Sequence, residues 1–377
     1  MSYLFTIFLL LSLMYPEVLS PQLIIIVCLI GVFVSLIKNN LLMIKSLAYI
    51  HVLWIIFFIL LGLSYFHYHN DQFYAEVLLF ICLAGSMYIG ILTGINFKKN
   101  LLYVFVGWVS IIQFQLFTKN SIDQVLNERW TITTGWLNSN AVGAMLVFSI
   151  PLLFLCFFAT KSKLIKILIV SEVFISILIV FLLSSRGALL SLSVILIFTF
   201  LISKNKLRKI LIIVPFLVII TPIILSVDIV QQSVELTFKR INSSGLNGRE
   251  VLWSEGIELI KNNPIYGIGA RNGMAIDLHN PLLQIAMHYG VFMVVPFMAL
   301  ILSPLVLIKR KQFKELSIAC IFATYIAILV QSSLEAILTP LIAGSVGWYF
   351  IGLIYGVLVK YRVDSDFHDI KISERRK

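Results

Sequence analysis

The chain has few charged residues and few cysteines for its length. Charged residues make up 12% of its 377 positions, hydrophobic residues make up 60%, and the mean hydropathy is +1.00. These values are too apolar for a soluble domain and are typical of a polytopic membrane protein. The four cysteines all fall within apolar stretches, which excludes a disulfide framework and indicates small buried side chains. His67 and His69, two residues apart, are too weak a pair to predict a metal site.

Long polar segments are also rare, and the apolar stretches between them are long enough to cross a bilayer. A span needs about 20 apolar residues to cross a hydrocarbon core of about 30 Å. About twelve stretches qualify, at roughly 3–15, 21–37, 46–66, 74–96, 101–117, 136–158, 167–183, 187–202, 210–226, 285–308, 316–334 and 340–359. The first lacks a basic n-region and a cleavage site, so we interpret it as a short retained span. The predicted fold is a single all-α membrane domain over residues 1–377.

The positive charges are unevenly distributed along the chain. A formal net charge of +11 would by itself suggest a nucleic-acid partner. When the N-terminus is placed in the cytoplasm, however, 21 of the 29 basic residues fall on the cytoplasmic side of the predicted spans. This positive-inside pattern predicts cytoplasmic N- and C-termini, with a basic tail at 360–377. The partner of these charges is then the lipid bilayer and not nucleic acid.

Two segments on the predicted outer side are long enough to carry a site, at 118–135 and 227–284. In the larger one, "NGREVLWSEGIELIKNN" predicts an amphipathic helix from about 249 to 262. A second helix begins in "HNPLLQIAMHYG", with Asn280 as its N-cap and Pro281 at its first position. We expect this second helix to run into the tenth span.

Arginines on the outer side are candidates for binding an anion. Arg186 is the one charge in "FLLSSRGALLSL", and a hairpin this short places it at the outer interface, where a charge is costly and usually functional. Its fork of donors suits phosphate, and a snorkelling anchor is the alternative. Arg249 opens the loop helix, where free amides also favour phosphate, and an ion pair with Glu250 or Asp277 is the alternative. Arg271, in the glycine-rich turn, is a weaker candidate.

His279 lies just before the second loop helix, at the predicted outer surface. It is a candidate general base, because histidine titrates near neutral pH, and a structural histidine is the alternative. Asn138 and Asn140, in "GWLNSNAVG", either line a sugar site or cap the sixth span. Glu335, at the outer end of the eleventh span, orients a histidine, binds a hydroxyl or is an ordinary interfacial carboxylate. Glu172, inside the seventh span, is a transporter-like feature.

Three segments resemble the O-antigen ligase/polymerase family, the Wzy/WaaL-like proteins of bacterial surface polysaccharide synthesis. They are "SSRGALLSL", "GREVLW…NNPIYGIG" and "HNPLLQIAMHYG", in the family's order and all on the outer side. The resemblance implies a GT-C-like, metal-independent and inverting glycosyltransferase without a cofactor. The enzyme would lie in the bacterial cell (inner) membrane with its site facing outward. Its donor would be a glycan on undecaprenyl diphosphate, its acceptor a sugar hydroxyl, and a chain-length regulator a further partner.

The same resemblance implies roles for individual residues. Arg186 and Arg249 would hold the diphosphate, His279 would deprotonate the acceptor, and Glu335 falls where the family tends to have an acidic residue. The family's ligases tend to have Ser or a similar residue after the histidine, whereas Asn280 follows it here, so the acceptor class stays open. We favour a polymerase, which moves the glycan to another lipid-linked repeat unit in O-antigen or capsule synthesis. The alternatives are a ligase, which moves it to an acceptor such as the lipid A core of lipopolysaccharide, and a transporter of lipid-linked oligosaccharides.

Overall fold

A computed structural model of the chain describes most of its apolar helices and two parts of the predicted loop. The described residues are 41–68, 73–121, 133–134, 137–183, 185–202, 249–269, 277–309, 312–313, 315–339 and 341–374, with isolated positions elsewhere. They include the helices α1 (Leu41–Tyr68), α2 (Phe73–Ile95), α3 (Leu101–Lys119), α4 (Ser139–Ala159), α5 (Lys163–Leu182), α6 (Arg186–Ile202), α7 (Arg249–Asn262), α8 (Pro281–Tyr289), α9 (Val291–Leu307), α10 (Leu316–Leu334) and α11 (Leu341–Glu374). Two short strands, β1 (Thr133–Thr134) and β2 (Leu137–Asn138), pair in antiparallel orientation.

The helices agree with the predicted membrane fold. Seven of them, α1 to α5, α10 and α11, contain segments long and apolar enough to cross a membrane, and α6 and α9 are shorter apolar helices. Together they cover nine of the twelve predicted stretches. The other three, at 3–15, 21–37 and 210–226, lie wholly or mostly outside the described residues. The prediction of an all-α, multi-pass membrane protein is confirmed.

Local signals fix the ends of the helices that border the predicted loop. The helix α7 begins at Arg249 and ends at Asn262, as its amphipathic pattern predicts. Asn280 is the N-cap of α8, because its side-chain oxygen accepts from the backbone N–H groups of Leu282 and Leu283 at 3.0 and 3.1 Å. Pro281 occupies the first turn, where its missing N–H costs nothing.

The expectation that α8 runs into the tenth span is wrong, because the helix breaks at Gly290. This residue has a φ of 90°, and α9 begins after it. The turn that follows α7 packs closely against this break. A Cβ added at Gly290 would lie 2.0 Å from the carbonyl oxygen of Ile265, and the Val291 N–H donates to the carbonyl of Pro264 at 2.9 Å. The contacts at this break therefore attach the loop to the membrane helices.

The helices α2 and α11 cross at backbone contact through glycines. A Cβ added at Gly90 would lie 2.0 Å from the carbonyl oxygen of Tyr349, and one added at Gly352 would lie 2.0 Å from that of Met87. Gly94 and Gly356, one turn further along each helix, make similar approaches. Small residues at this spacing let membrane helices pack closely, and the crossing holds α11 in the centre of the bundle.

We predict that Gly352→Ala destabilises the protein, because its methyl group has no space between the two backbones. Overpacking of this kind costs about 1–3 kcal/mol or more. Gly107→Ala is the matched control, since a Cβ at Gly107 meets no atom within 4 Å. Thermal unfolding in detergent should show a clear loss for the first variant and none for the second. Equal melting temperatures would contradict the close crossing.

Candidate active site

Several of the predicted site residues meet around Glu335, which directly follows α10. Its carboxylate is largely buried, with 12% of the side chain exposed. One oxygen, Oε1, accepts from Asn140 Nδ2 at 3.1 Å and from Arg249 Nη2 at 2.5 Å. The other, Oε2, lies 3.3 Å from His279 Nδ1. A single carboxylate therefore joins α4, α7 and the segment before α8 to the end of α10.

Arg249 is held at the first residue of α7 by two contacts with the end of α10. Besides the ion pair with Glu335, its Nη1 donates to the carbonyl oxygen of Leu334 at 2.5 Å. Its ion-pair partner is thus neither Glu250 nor Asp277, the two alternatives considered from the sequence. The contacts use two of the five N–H donors that a guanidinium carries. The site can therefore hold Arg249 in place and still present N–H donors to an anion.

His279 has an unusual backbone that its neighbours hold in place. Its φ is +51°, the only positive value of a non-glycine residue in the described parts of the chain. Trp253 Nε1 donates to the Leu278 carbonyl at 2.8 Å, and Gln284 Oε1 accepts from the Leu278 N–H at 2.9 Å. The His279 N–H donates to Asp277 Oδ1 at 2.8 Å. Such conformations cost about 1–3 kcal/mol and cluster at functional sites.

The imidazole of His279 is partly exposed and lies in an acidic environment. The hydrogen bond to Glu335 raises the pKa of His279 above its usual 6.5, and the charge of Asp277 raises it further. Burial and the charge of Arg249 act in the opposite direction. When Nδ1–H donates to Glu335, the neutral ring has its basic lone pair on Nε2. The arrangement is that of a histidine base oriented by a carboxylate.

The predicted asparagines have different positions around this cluster. Asn140, the second residue of α4, contacts Glu335 directly. Asn280 caps α8, and its Nδ2 donates to the Ser333 carbonyl in the last turn of α10 at 3.4 Å. Asn138 lies in β2, where its backbone pairs with Thr133, and its side chain is outside the described part of the structure.

Arg186 begins α6 beside the last turn of α10. A Cβ added at the next residue, Gly187, would lie 2.8 Å from Gln331 Oε1, and the Glu335 N–H donates to the Gln331 carbonyl at 2.9 Å. Gln331 thus lies beside the start of α6, and it precedes Glu335 by one helical turn. Arg186 and Arg249 are each the first residue of a helix, and both helices start near the end of α10. Arg271 lies outside the described residues.

Two other residues singled out from the sequence lie away from Glu335 and its partners. Glu172 is buried in α5, where it accepts a hydrogen bond from Ser110 of α3. The ring of His67, at the end of α1, stacks on Tyr266 at 4.4 Å. His69 is outside the described residues.

The sequence alone does not identify the residues that position His279. Asp277 appears there only as a partner for Arg249, although its spacing of two residues from His279 is a usable local signal. Trp253 and Gln284 carry no such signal. In the sequence, Trp253 is one more apolar residue of α7, and Gln284 is one of the polar residues of α8. Their contacts with Leu278 depend on how the two helices fold together.

A comparison with protein families matches about a third of the chain. Residues 172–298 match the family model Wzy_C, described as O-antigen ligase. The matched range contains Arg186, Arg249 and His279, and it ends before Glu335. No curated protein matches the chain at a significant level. The family match confirms the resemblance found in the sequence and, with the apolar helices, indicates a multi-pass membrane protein of surface polysaccharide biosynthesis.

Proposed function

We propose that this protein is a member of the O-antigen ligase/polymerase family and acts as a surface polysaccharide polymerase. It transfers a glycan from undecaprenyl diphosphate to a hydroxyl of a second lipid-linked repeat unit, without a metal ion and with inversion at the anomeric carbon. The proposal rests on the contacts of Glu335, which holds His279 on one carboxylate oxygen and Arg249 on the other. The site would face outward from the bacterial cell membrane, as the distribution of basic residues predicts.

The base in this reaction is Nε2 of His279. It takes the proton of the acceptor hydroxyl while the hydroxyl oxygen forms a bond to the anomeric carbon. Glu335 fixes the orientation of the ring through Nδ1 and stabilises the imidazolium that results. General base catalysis of this kind contributes about 10²- to 10⁴-fold to the rate.

The leaving group is the lipid diphosphate. As the bond between the anomeric carbon and the phosphate oxygen breaks, its electron pair remains on the diphosphate, whose growing negative charge needs stabilisation. Arg249 and Arg186 supply positive charge, and each stands at a helix N-terminus, where free N–H groups and the helix dipole favour anions. Electrostatic stabilisation is often the largest single contribution to catalysis. Attack opposite the leaving group inverts the anomeric configuration.

Reconstitution tests this function directly. In proteoliposomes with purified lipid-linked repeat units, we expect longer glycan chains to form without ATP and in the presence of EDTA. The product is a ladder of chain lengths on a gel. A requirement for ATP or for a divalent metal ion would contradict the proposal. Movement of the unchanged repeat unit across the membrane, without lengthening, would indicate a transporter.

A ligase is the second candidate, because the matched family is described as O-antigen ligase. Asn280 departs from the pattern of the family's ligases, and its side chain caps α8 and contacts the Ser333 carbonyl, so the acceptor is a matter for experiment. A second reaction contains lipid A core as an added acceptor. Transfer to lipid A core in the absence of chain lengthening would make the protein a ligase.

A further inference from the structure

A cavity of about 440 Å³ lies where α4 ends and α5 begins. One residue of α4 and five residues of α5 line it: Phe157, Lys163, Lys166, Ile167, Val170 and Ser171. The residues of α5 are three or four positions apart, so they share one face of the helix. The positive-inside pattern places this end of the two helices on the predicted cytoplasmic side.

The lining of the cavity changes from charged to apolar along α5. Lys163 and Lys166 lie in the first turn of the helix, and the exposed side chains of Ile167 and Val170 follow. At a rise of about 1.5 Å per residue, Val170 lies roughly 10 Å beyond Lys163. A phospholipid has the same order of groups, because its charged headgroup precedes its acyl chains.

The apolar face of α5 is open to the surrounding lipid. Only 28% of the membrane segment of α5 is buried in the protein, against 39% or more for each of the other six long apolar helices that the structure describes. An acyl chain can therefore lie along this face without displacing another helix.

The two lysines of the cavity are not neutralised by a carboxylate. Neither forms an ion pair within the described parts of the chain, and no acidic residue is among the described residues that line the cavity. Glu172, the one carboxylate of α5, is buried and accepts a hydrogen bond from Ser110 of α3. The Lys166 ammonium nitrogen lies 5.2 Å from the centre of the Phe157 ring, a cation–π contact that keeps the charge at the cavity wall. The cavity therefore attracts an anionic group.

We propose that this cavity binds one anionic phospholipid of the cytoplasmic leaflet. Its phosphate lies at Lys163 and Lys166, and an acyl chain lies along Ile167 and Val170. Basic pockets between membrane helices on the cytoplasmic side are suited to anionic headgroups. A zwitterionic phospholipid also carries a phosphate, but its own ammonium group would lie beside the two lysines and be repelled by them.

This lipid site is separate from the candidate active site. Asn140, which contacts Glu335, is the second residue of α4, whereas Phe157 lies in the last turn of the same helix. About 25 Å of helix lies between them. The inference therefore does not depend on the proposed function.

Native mass spectrometry of the full chain in detergent micelles tests the proposal. The probes are phosphatidylglycerol and phosphatidylethanolamine with identical acyl chains. We expect the first phosphatidylglycerol molecule to bind about tenfold more tightly, because two lysines act on its charge. The double variant Lys163→Gln, Lys166→Gln should reduce this preference to less than about twofold. The matched control is Lys98→Gln, Lys99→Gln, which removes two exposed lysines from the same predicted side and should leave the preference unchanged.

A second pair of variants tests the apolar part of the cavity without changing its charge. Val170→Trp fills the space along α5 and should abolish the tight binding of phosphatidylglycerol. Leu168 is also exposed on α5 but does not line the cavity, so Leu168→Trp should bind as the wild type does. Glycerol phosphate, which has the charge but no acyl chain, should not displace the bound lipid.

Four results would overturn the inference. They are equal binding of the two lipids by the wild type, an unchanged preference in the variant that lacks Lys163 and Lys166, unchanged binding in Val170→Trp, and displacement of the lipid by glycerol phosphate. An equal loss of preference in the variant that lacks Lys98 and Lys99 would also contradict it, because the preference would then reflect the charge of the whole surface.

Discussion

Replacing His279 by alanine should lower the rate of chain lengthening by about 10²- to 10⁴-fold, because the acceptor hydroxyl loses its base. The amount of protein in the membrane and its melting temperature should stay close to those of the wild type. The imidazole is partly exposed, and the segment around it is held by hydrogen bonds between the backbone of Leu278 and the side chains of Trp253 and Gln284. The measurement is the initial rate in proteoliposomes that contain equal amounts of folded protein.

The control for this experiment is a histidine outside the cluster. His67 stacks on Tyr266 at the end of α1, so His67→Ala should keep most of the activity. A His279→Ala variant that retains more than about a tenth of the wild-type rate would contradict a role as general base. A purely structural role would instead appear as loss of folded protein, with a normal rate for the fraction that remains.

The sequence predicts the features of the fold that depend on neighbouring residues, and it does not predict those that depend on residues far apart in the chain. The bounds of α7 and the cap of α8 depend on neighbouring residues, and both predictions are correct. The break at Gly290 has one local sign, the glycine itself, whereas its contacts with the turn at Pro264 and Ile265, which lies 25 residues earlier, have none. The crossing of α2 and α11 likewise depends on residues that are far apart in the sequence. Glycines are visible in both sequences, but their pairing is a property of the folded bundle.

The candidate site shows the same limit more strongly. Each of Arg249, His279, Asn140 and Glu335 has a local reason to be noticed, since each lies at or next to a helix end on the predicted outer side. Their convergence has no local signal, because Glu335 is 86 residues from Arg249 and 195 residues from Asn140. From its sequence context Glu335 is therefore only a minor candidate, whereas in the structure it is the residue that connects the others. Asp277 also contacts His279, and the only sign of this in the sequence is that the two residues are close together.

Glu335→Gln should reduce the rate by about as much as the loss of His279, although it changes only one atom. Arg249 and Asn140 both donate to Oε1, so this position must remain an oxygen in the variant. The new amide nitrogen then takes the place of Oε2, 3.3 Å from His279 Nδ1, and donates a hydrogen bond to it. The neutral ring is forced to carry its proton on Nε2, the atom that has to accept the proton of the substrate.

The pH dependence of the remaining activity separates this role from a merely structural one. The reaction needs neutral His279, so the rate rises as the pH passes through the pKa of His279. In the wild type, Glu335 raises this pKa above 6.5, and the rise should lie correspondingly higher. In Glu335→Gln the carboxylate is gone and the amide stabilises the neutral ring, so the pKa falls and the rise should move to lower pH. Glu255→Gln, an exposed change on α7, should leave the profile in place. A Glu335→Gln profile that is lower at every pH but rises at the wild-type position would show that Glu335 does not act through His279.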